Sequence, residues 1–136
     1  MKLSAKAEYA CLAILALARP HADGSPLRIR EIAEAHEIPE RYLVQILLQL
    51  KGAGLVHSTR GAAGGYRLAR PAEAISLGEV LEAIDGPGGP PREANGPAAR
   101  VLAAIWEKLR ASEKAVLGGT SIADLAAGTD PRDWVI

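Results

Sequence analysis

The sequence predicts a mainly α protein with a small β-hairpin: a winged helix-turn-helix DNA-binding domain plus a long C-terminal dimerisation helix. Three observations carry that prediction. Two short segments, each with one apolar face, flank a tight turn at "HEI", His36 to Ile38. A hairpin follows in "TRGAAGGYRLAR", Thr59 to Arg70, with its glycines and an arginine gathered at the tip. Much later, residues 98–117 form one amphipathic stretch with nothing beside it in sequence to cover its apolar side.

Each element has a local reason. Residues 4–18, "SAKAEYACLAILALA", are rich in Ala and Leu and lack Gly and Pro, so they read as a mostly buried helix with Ser4 as N-cap. "RPHADGSP" is a loop of helix breakers. Ile29 to Ala35 places Ile29, Ile32 and Ala33 on one helical face. Pro39 opens the next helix at a first-turn position, where its missing N–H costs nothing. Leu43, Ile46, Leu47 and Leu50 form the apolar stripe of that helix, and Gly52 or Gly54 ends it. "LVHST" and "GYRLA" are the two strands of the hairpin. Ser76 and Glu79 make a capping box that starts a helix through Ile84, and Ser121 with Asp124 starts a short later one in the same way. Between them, Asp85 to Pro97 is so crowded with Gly and Pro that it must be a loop. The expected organisation is therefore a winged helix-turn-helix domain over 1–84, a Gly/Pro-rich loop over 85–97, a dimerisation helix and short C-terminal helix over 98–127, and a tail over 128–136.

Composition narrows the function. Net charge is zero over 136 residues, but it is unevenly spread. Residues 1–70 carry ten Lys and Arg against six Asp and Glu, and residues 71–136 carry six against ten. A basic working half joined to an acidic half fits a nucleic-acid binder with a second job. The single cysteine, Cys11, permits no internal disulfide, which fits a reducing cytoplasm. Lys2 and Lys6 before the apolar run Tyr9 to Ala18 imitate a signal peptide, but Glu8 interrupts the approach, and a short apolar helix is the expected reading. No run reaches the roughly 18 apolar residues of a membrane span. No nucleophile–base pair or paired carboxylates can be argued from these residues, so an enzyme is not expected.

The glycine cluster raises a choice between a nucleotide-phosphate loop, a DNA-binding wing and a plain hairpin. A nucleotide P-loop needs a Lys and a hydroxyl after its glycines, and none follows Gly65. A dinucleotide fingerprint needs GxGxxG, which is absent. The wing reading puts Arg60 at a slender tip whose glycines, Gly61, Gly64 and Gly65, have no side chains, with Tyr66 beside them as a further DNA-binding candidate and Arg67 and Arg70 one strand later for phosphates. On the recognition helix, Pro39, Glu40, Arg41, Val44 and Gln45 are the outward candidates. Arg pairs with guanine, Gln with adenine, and Glu accepts from cytosine. An ordinary solvated face remains the alternative for these side chains, and Tyr42 either reaches a phosphate or packs. Lys2, Ser4 and Lys6 flank a helix start, a position that readily binds phosphate, and Arg28 precedes the first helix of the motif. Val101, Leu102, Ile105, Leu109 and Val116 are the dimerisation candidates.

"MKLSAKAEYA", "IREIAEAHEIPERYLVQILLQLKGAGLVHSTRGAAGGYRLARPAEAISLGEVLEAIDGP" and "IADLA" together resemble the Rrf2 family of bacterial transcription regulators. The resemblance spans nearly all of the chain, and its most specific parts are the wing "RGAAGGY" and "ISLGEVLEAIDGP". It implies a winged helix-turn-helix homodimer, a repressor of double-stranded DNA at palindromic operators, with the long helix pairing two subunits. The chain departs from many members at Arg28, at Pro39 and at Val44, where Ser or Thr, Ser, and Glu are common. Many relatives hold an iron–sulfur cluster through three cysteines before the dimer helix. Here Asp85 to Ala104 contains neither Cys nor His, so no cofactor and no metal are expected. The chain looks closest to the cluster-free members that control cysteine metabolism.

Its ending, "DWVI", resembles the tails of serine acetyltransferases, which insert a terminal isoleucine into O-acetylserine sulfhydrylase (cysteine synthase). Trp134, Val135 and Ile136 therefore either dock on that enzyme or tuck against the protein's own surface. Cys11 reads as a small buried hydrophobe, with a redox-sensing thiol as the alternative. Two further functions stay open: a regulator answering to a small-molecule ligand or to Cys11 oxidation, and an interaction module without DNA binding.

Overall fold

The computed structural model describes residues 3–19, 25–88 and 93–128. Its elements are α1 (Ala5–Leu17), α2 (Ile29–His36), α3 (Glu40–Gly52), β1 (Val56–Thr59), β2 (Gly65–Leu68), a 3-10 turn (Ala72–Ala74), α4 (Leu77–Asp85), α5 (Pro97–Gly119) and α6 (Ile122–Ala127). Every helix expected from periodicity is present, with ends within a residue or two of the expectation.

α1 is the central post, packed against α2, α3, α4, α6 and β2. Ala7, Ala10, Ala13 and Ala16 are all fully buried with Ile14, and their small side chains let neighbouring helices approach closely. Ser4 caps the helix as expected, its Oγ accepting from the Ala7 N–H at 3.0 Å. Around this post, Ile32, Leu43, Ile46, Leu47, Leu50, Ile75, Val80 and Ile122 close the core, all fully buried.

The turn between α2 and α3 is held by Glu37 in the left-handed conformation (φ 52°) and by the Ile38 N–H bonded to the Ala33 carbonyl at 3.0 Å. Ile38 is buried, so one apolar side chain pins the angle between the two helices. Pro39 stands one residue earlier than expected: it is the N-cap of α3 and not its first helical residue, and its carbonyl accepts from the Tyr42 and Leu43 N–H groups. At the start of α2, Glu31 accepts from the Arg28 N–H at 3.2 Å. Arginine has no acceptor, so only this half of a capping box exists.

β1 and β2 pair antiparallel, with Val56 opposite Leu68, His57 opposite Arg67, Ser58 opposite Tyr66 and Thr59 opposite Gly65. Leu27 extends the ribbon on its other side, exchanging both backbone hydrogen bonds with Tyr66 at 2.9 and 2.7 Å. The hairpin is thus tied to the segment that leads into α2.

α5 runs for 23 residues, about 34 Å at 1.5 Å per residue, and none of them is buried. It rests on α4, where Leu117 Cβ would lie 3.3 Å from a Cβ built on Gly78. α6 then turns back. The Leu77 N–H bonds the Thr120 carbonyl and the Ile122 N–H bonds the Ile75 carbonyl, both at 2.8 Å. α6 itself packs on α1 and the 3-10 turn, where Ile122 and Ala126 are buried. Both capping boxes form, Ser76 with Glu79 and Ser121 with Asp124. Among the described residues, no helix is long and apolar enough to cross a membrane.

Candidate nucleic-acid interface

α3 buries Leu43, Ile46, Leu47 and Leu50 and leaves Glu40, Arg41, Tyr42, Val44 and Gln45 exposed. The burial period of the helix alone sorts the base-reading candidates to one side. The Arg41 guanidinium lies 5.1 Å from the centroid of the Tyr42 ring, a cation–π contact that restrains both side chains before any ligand arrives. Pro39 and Arg28 are also exposed, at the starts of α3 and α2.

In the wing, Arg60, Gly61 and Arg67 are exposed. The other glycines answer a steric demand. Gly64 is buried, and any Cβ there would overlap the Thr59 and Arg60 backbone. Gly65 has φ +147°, and a Cβ would stand 2.5 Å from the Leu27 carbonyl oxygen. These two glycines let the hairpin close and lean on Leu27. Tyr66 is half-buried against the core and paired to Leu27, so it anchors the wing at its base.

Arg70 departs from its expected place on a phosphate. Its guanidinium bonds the Ala74 carbonyl at 3.2 Å and the Glu79 carboxylate at 3.0 Å. Slight desolvation pushes Glu79 up, but the Ser76 N–H and the Arg70 charge outweigh it and hold the carboxyl below its usual range. That contribution to the start of α4 is present at neutral pH and disappears as pH falls through the lowered value.

The N-terminus of α1 already faces an anion of its own chain. Ser4 Oγ donates to the Asp85 carboxylate at 3.0 and 3.1 Å, joining the start of α1 to the last residue of α4. A phosphate arriving there would have to displace or share with Asp85. Lys6 is half-buried, and Lys2 lies outside the described residues. Gln49 Nε2 reaches the Ile84 carbonyl at 3.5 Å, so the same turn of α4 touches the far end of α3.

The structure also exposes large apolar side chains beyond those expected from the sequence. Trp106 joins Val101, Leu102, Ile105, Leu109 and Val116 as exposed large apolar side chains of α5, all between 46 and 68 % accessible. Leu48, on the outer face of α3, is 59 % accessible. Each sits three or four residues from a side chain already assigned to the same face, and that spacing was the available signal.

The Rrf2 family profile, described as iron-dependent transcriptional regulators, matches residues 3–128. The chain belongs to the Rrf2 family. It is 43 % identical to a helix-turn-helix-type transcriptional regulator of Mycobacterium tuberculosis, over 97 % of this chain and 85 % of that one. It is 39 % identical to the regulator CymR of Bacillus subtilis, over 96 % and 93 % of the two chains. The solved structure of CymR, the global cysteine regulator of B. subtilis, superposes with a TM-score of 0.83 at 37 % identity, covering 96 % of this chain and 99 % of that one. The structure of T. potens IscR superposes with a TM-score of 0.80 at 32 % identity, covering 97 % and 90 %. This Rrf2 chain is a helix-turn-helix transcriptional regulator and not an enzyme, and its winged fold is that of the solved members.

The iron in the family description does not suit the donors of this Rrf2 chain. A cluster is held by several thiolates, with imidazole as an occasional substitute. One cysteine and three histidines make up the whole supply. Cys11 sits in α1, while His36 and His57 lie at the end of α2 and in β1. Among the described residues, no three His, Cys, Asp or Glu side chains gather as a metal site. Cys11 is half-buried, and burial followed by the nearby Glu8 charge pushes its thiol up to about 11. At neutral pH the thiol stays protonated, which suits a packing role better than a redox one.

Proposed function

We propose that this Rrf2 regulator acts in the cytoplasm as a homodimeric repressor that clasps a palindromic operator, with α5 pairing the subunits and α3 and the wing reading each half-site. The observation that carries the reading is the row of exposed apolar side chains on α5. Leu102, Ile105, Leu109 and Val116 repeat at intervals of three, four and seven, the spacing of a helix–helix seam. A monomer would leave that seam in water at a cost of about 25 cal/mol per Å² of apolar surface that a partner could cover. Two copies joined there present two basic heads to one duplex, which matches the excess of Lys and Arg in residues 1–70.

Titrating the operator at several salt concentrations tests the DNA half of the reading. The slope of log affinity against log salt should fall by about one when Arg60 becomes Ala, because one phosphate or minor-groove contact and its counterion are lost. An unchanged slope and unchanged affinity would remove Arg60 from the interface.

We further propose that the signal is cysteine supply, sensed through cysteine synthase docking on the C-terminal isoleucine. The likeness to CymR, the global cysteine regulator of B. subtilis, supports this assignment. Trp134, Val135 and Ile136 lie outside the described residues, so the docking rests on the sequence of the tail. Deleting Val135 and Ile136 should abolish capture of purified cysteine synthase in a pull-down while leaving operator binding by the regulator alone intact. Equal capture without them would end the docking proposal.

A further inference from the structure

The outward face of α3 carries a feature that hydrogen-bond readout does not explain. Arg41, Val44, Gln45 and Leu48 are all exposed and follow the spacing i, i+3, i+4, i+7, from which a helix in the major groove reaches bases. Within that set, Val44 is 43 % and Leu48 59 % accessible, and they stand one helical turn apart. They form an apolar ridge beside a guanidinium and a carboxamide. α3 packs on α1, α2, α4 and β1 through its other side, so the ridge is not part of the core.

A ridge of two side chains is too small for a protein partner. A stable interface buries roughly 800 Å² on each side, and α5 already offers a far larger apolar face for a second copy. In the major groove, the one apolar group on any base edge is the C5-methyl of thymine. We propose that Val44 and Leu48 read thymine methyl groups, so that each half-site is specified by the methyls under this ridge as well as by hydrogen bonds from Arg41 and Gln45. The inference rests on the operator-binding role of α3 proposed above. The ridge takes its selectivity from desolvation: a methyl seated on Val44 or Leu48 leaves water, and a cytosine or uracil edge at the same place gains nothing.

The full-length protein is titrated with its own operator in two forms, one natural and one with the half-site thymines replaced by deoxyuracil. The replacement removes only the methyls and keeps every base pair. The wild type should bind the deoxyuracil duplex about fourfold more weakly for each methyl that the ridge contacts. The double variant Val44→Ala, Leu48→Ala should bind the two duplexes equally. Both positions lie on the surface, and an unchanged melting curve checks that the variant is folded. Equal binding of both duplexes by the wild type would overturn the proposal. A methyl penalty that survives in the double variant would also overturn it, by assigning the effect to DNA shape. So would a loss of dimer in the double variant, which would make the ridge a protein contact. Failure of the wild type to bind the natural duplex is a different result, and would overturn the operator reading itself.

Discussion

Replacing Ile105 and Leu109 with glutamate should leave a folded head that sediments as a monomer and no longer holds its operator. Both side chains are exposed in the isolated chain, and no residue of α5 is buried, so the substitutions remove nothing from the core. In a dimer they would place four carboxylates in one apolar seam. Burying an unpaired charge costs several kcal/mol even after relaxation. A micromolar dimer has only about 8 kcal/mol of association energy to lose. Once the clasp is lost, each head binds its half-site alone, and operator affinity should fall by about 10²–10⁴ as the effective concentration of the second head disappears. Sedimentation equilibrium and gel shifts check the two parts separately. A persistent dimer of native affinity would place the interface elsewhere on the molecule.

Gly65→Val should destabilise the wing as strongly as any single substitution on the surface. The position has φ +147°, and its Cβ would meet the Leu27 carbonyl oxygen at 2.5 Å and its carbon at 2.7 Å. Strain in that backbone region costs about 1–3 kcal/mol. Moving the strand away would also break the paired Leu27–Tyr66 hydrogen bonds. The expected result is a fall in Tm on the order of 10 °C and at least a tenfold loss of operator affinity, although Arg60 itself is untouched. Gly52→Ala is the control. Gly52 ends α3 with nothing within 4 Å of an added Cβ, so this change should hold or raise the Tm. If both variants melt with the wild type, the wing is not fastened through Gly65.

These expectations differ in how readily the chain announces them. The α5 stripe and the apolar side of α3 are written in the 3.6-residue period, and the Ser76 and Ser121 capping boxes in a four-residue spacing, so each is legible from neighbours in sequence. The contact between Gly65 and Leu27 joins residues 38 positions apart, and no local pattern encodes it. Arg70 illustrates the same limit. By position it resembles Arg67, but the 3-10 turn and the start of α4 bring the Ala74 carbonyl and Glu79 beneath it and turn a presumed phosphate contact into an internal tie. Of the three wing glycines, Gly64 and Gly65 make room for the protein's own backbone, a demand that no neighbour in sequence announces.

The sequence by itself determined the order and type of the elements, the faces they bury, the scarcity of cluster ligands and the family to which the chain belongs, because helix periodicity, caps and thiolate supply are properties of residues near one another or simply counted. Only the tertiary structure decided which polar groups stay available. Ser4 is claimed by Asp85 and Arg70 by Glu79, whereas Arg41, Arg60 and Arg67 remain exposed, and Leu48 emerges beside Val44. Availability depends on which distant partner packing brings within 3 Å, and that is fixed by the assembled core of the head and by no segment alone.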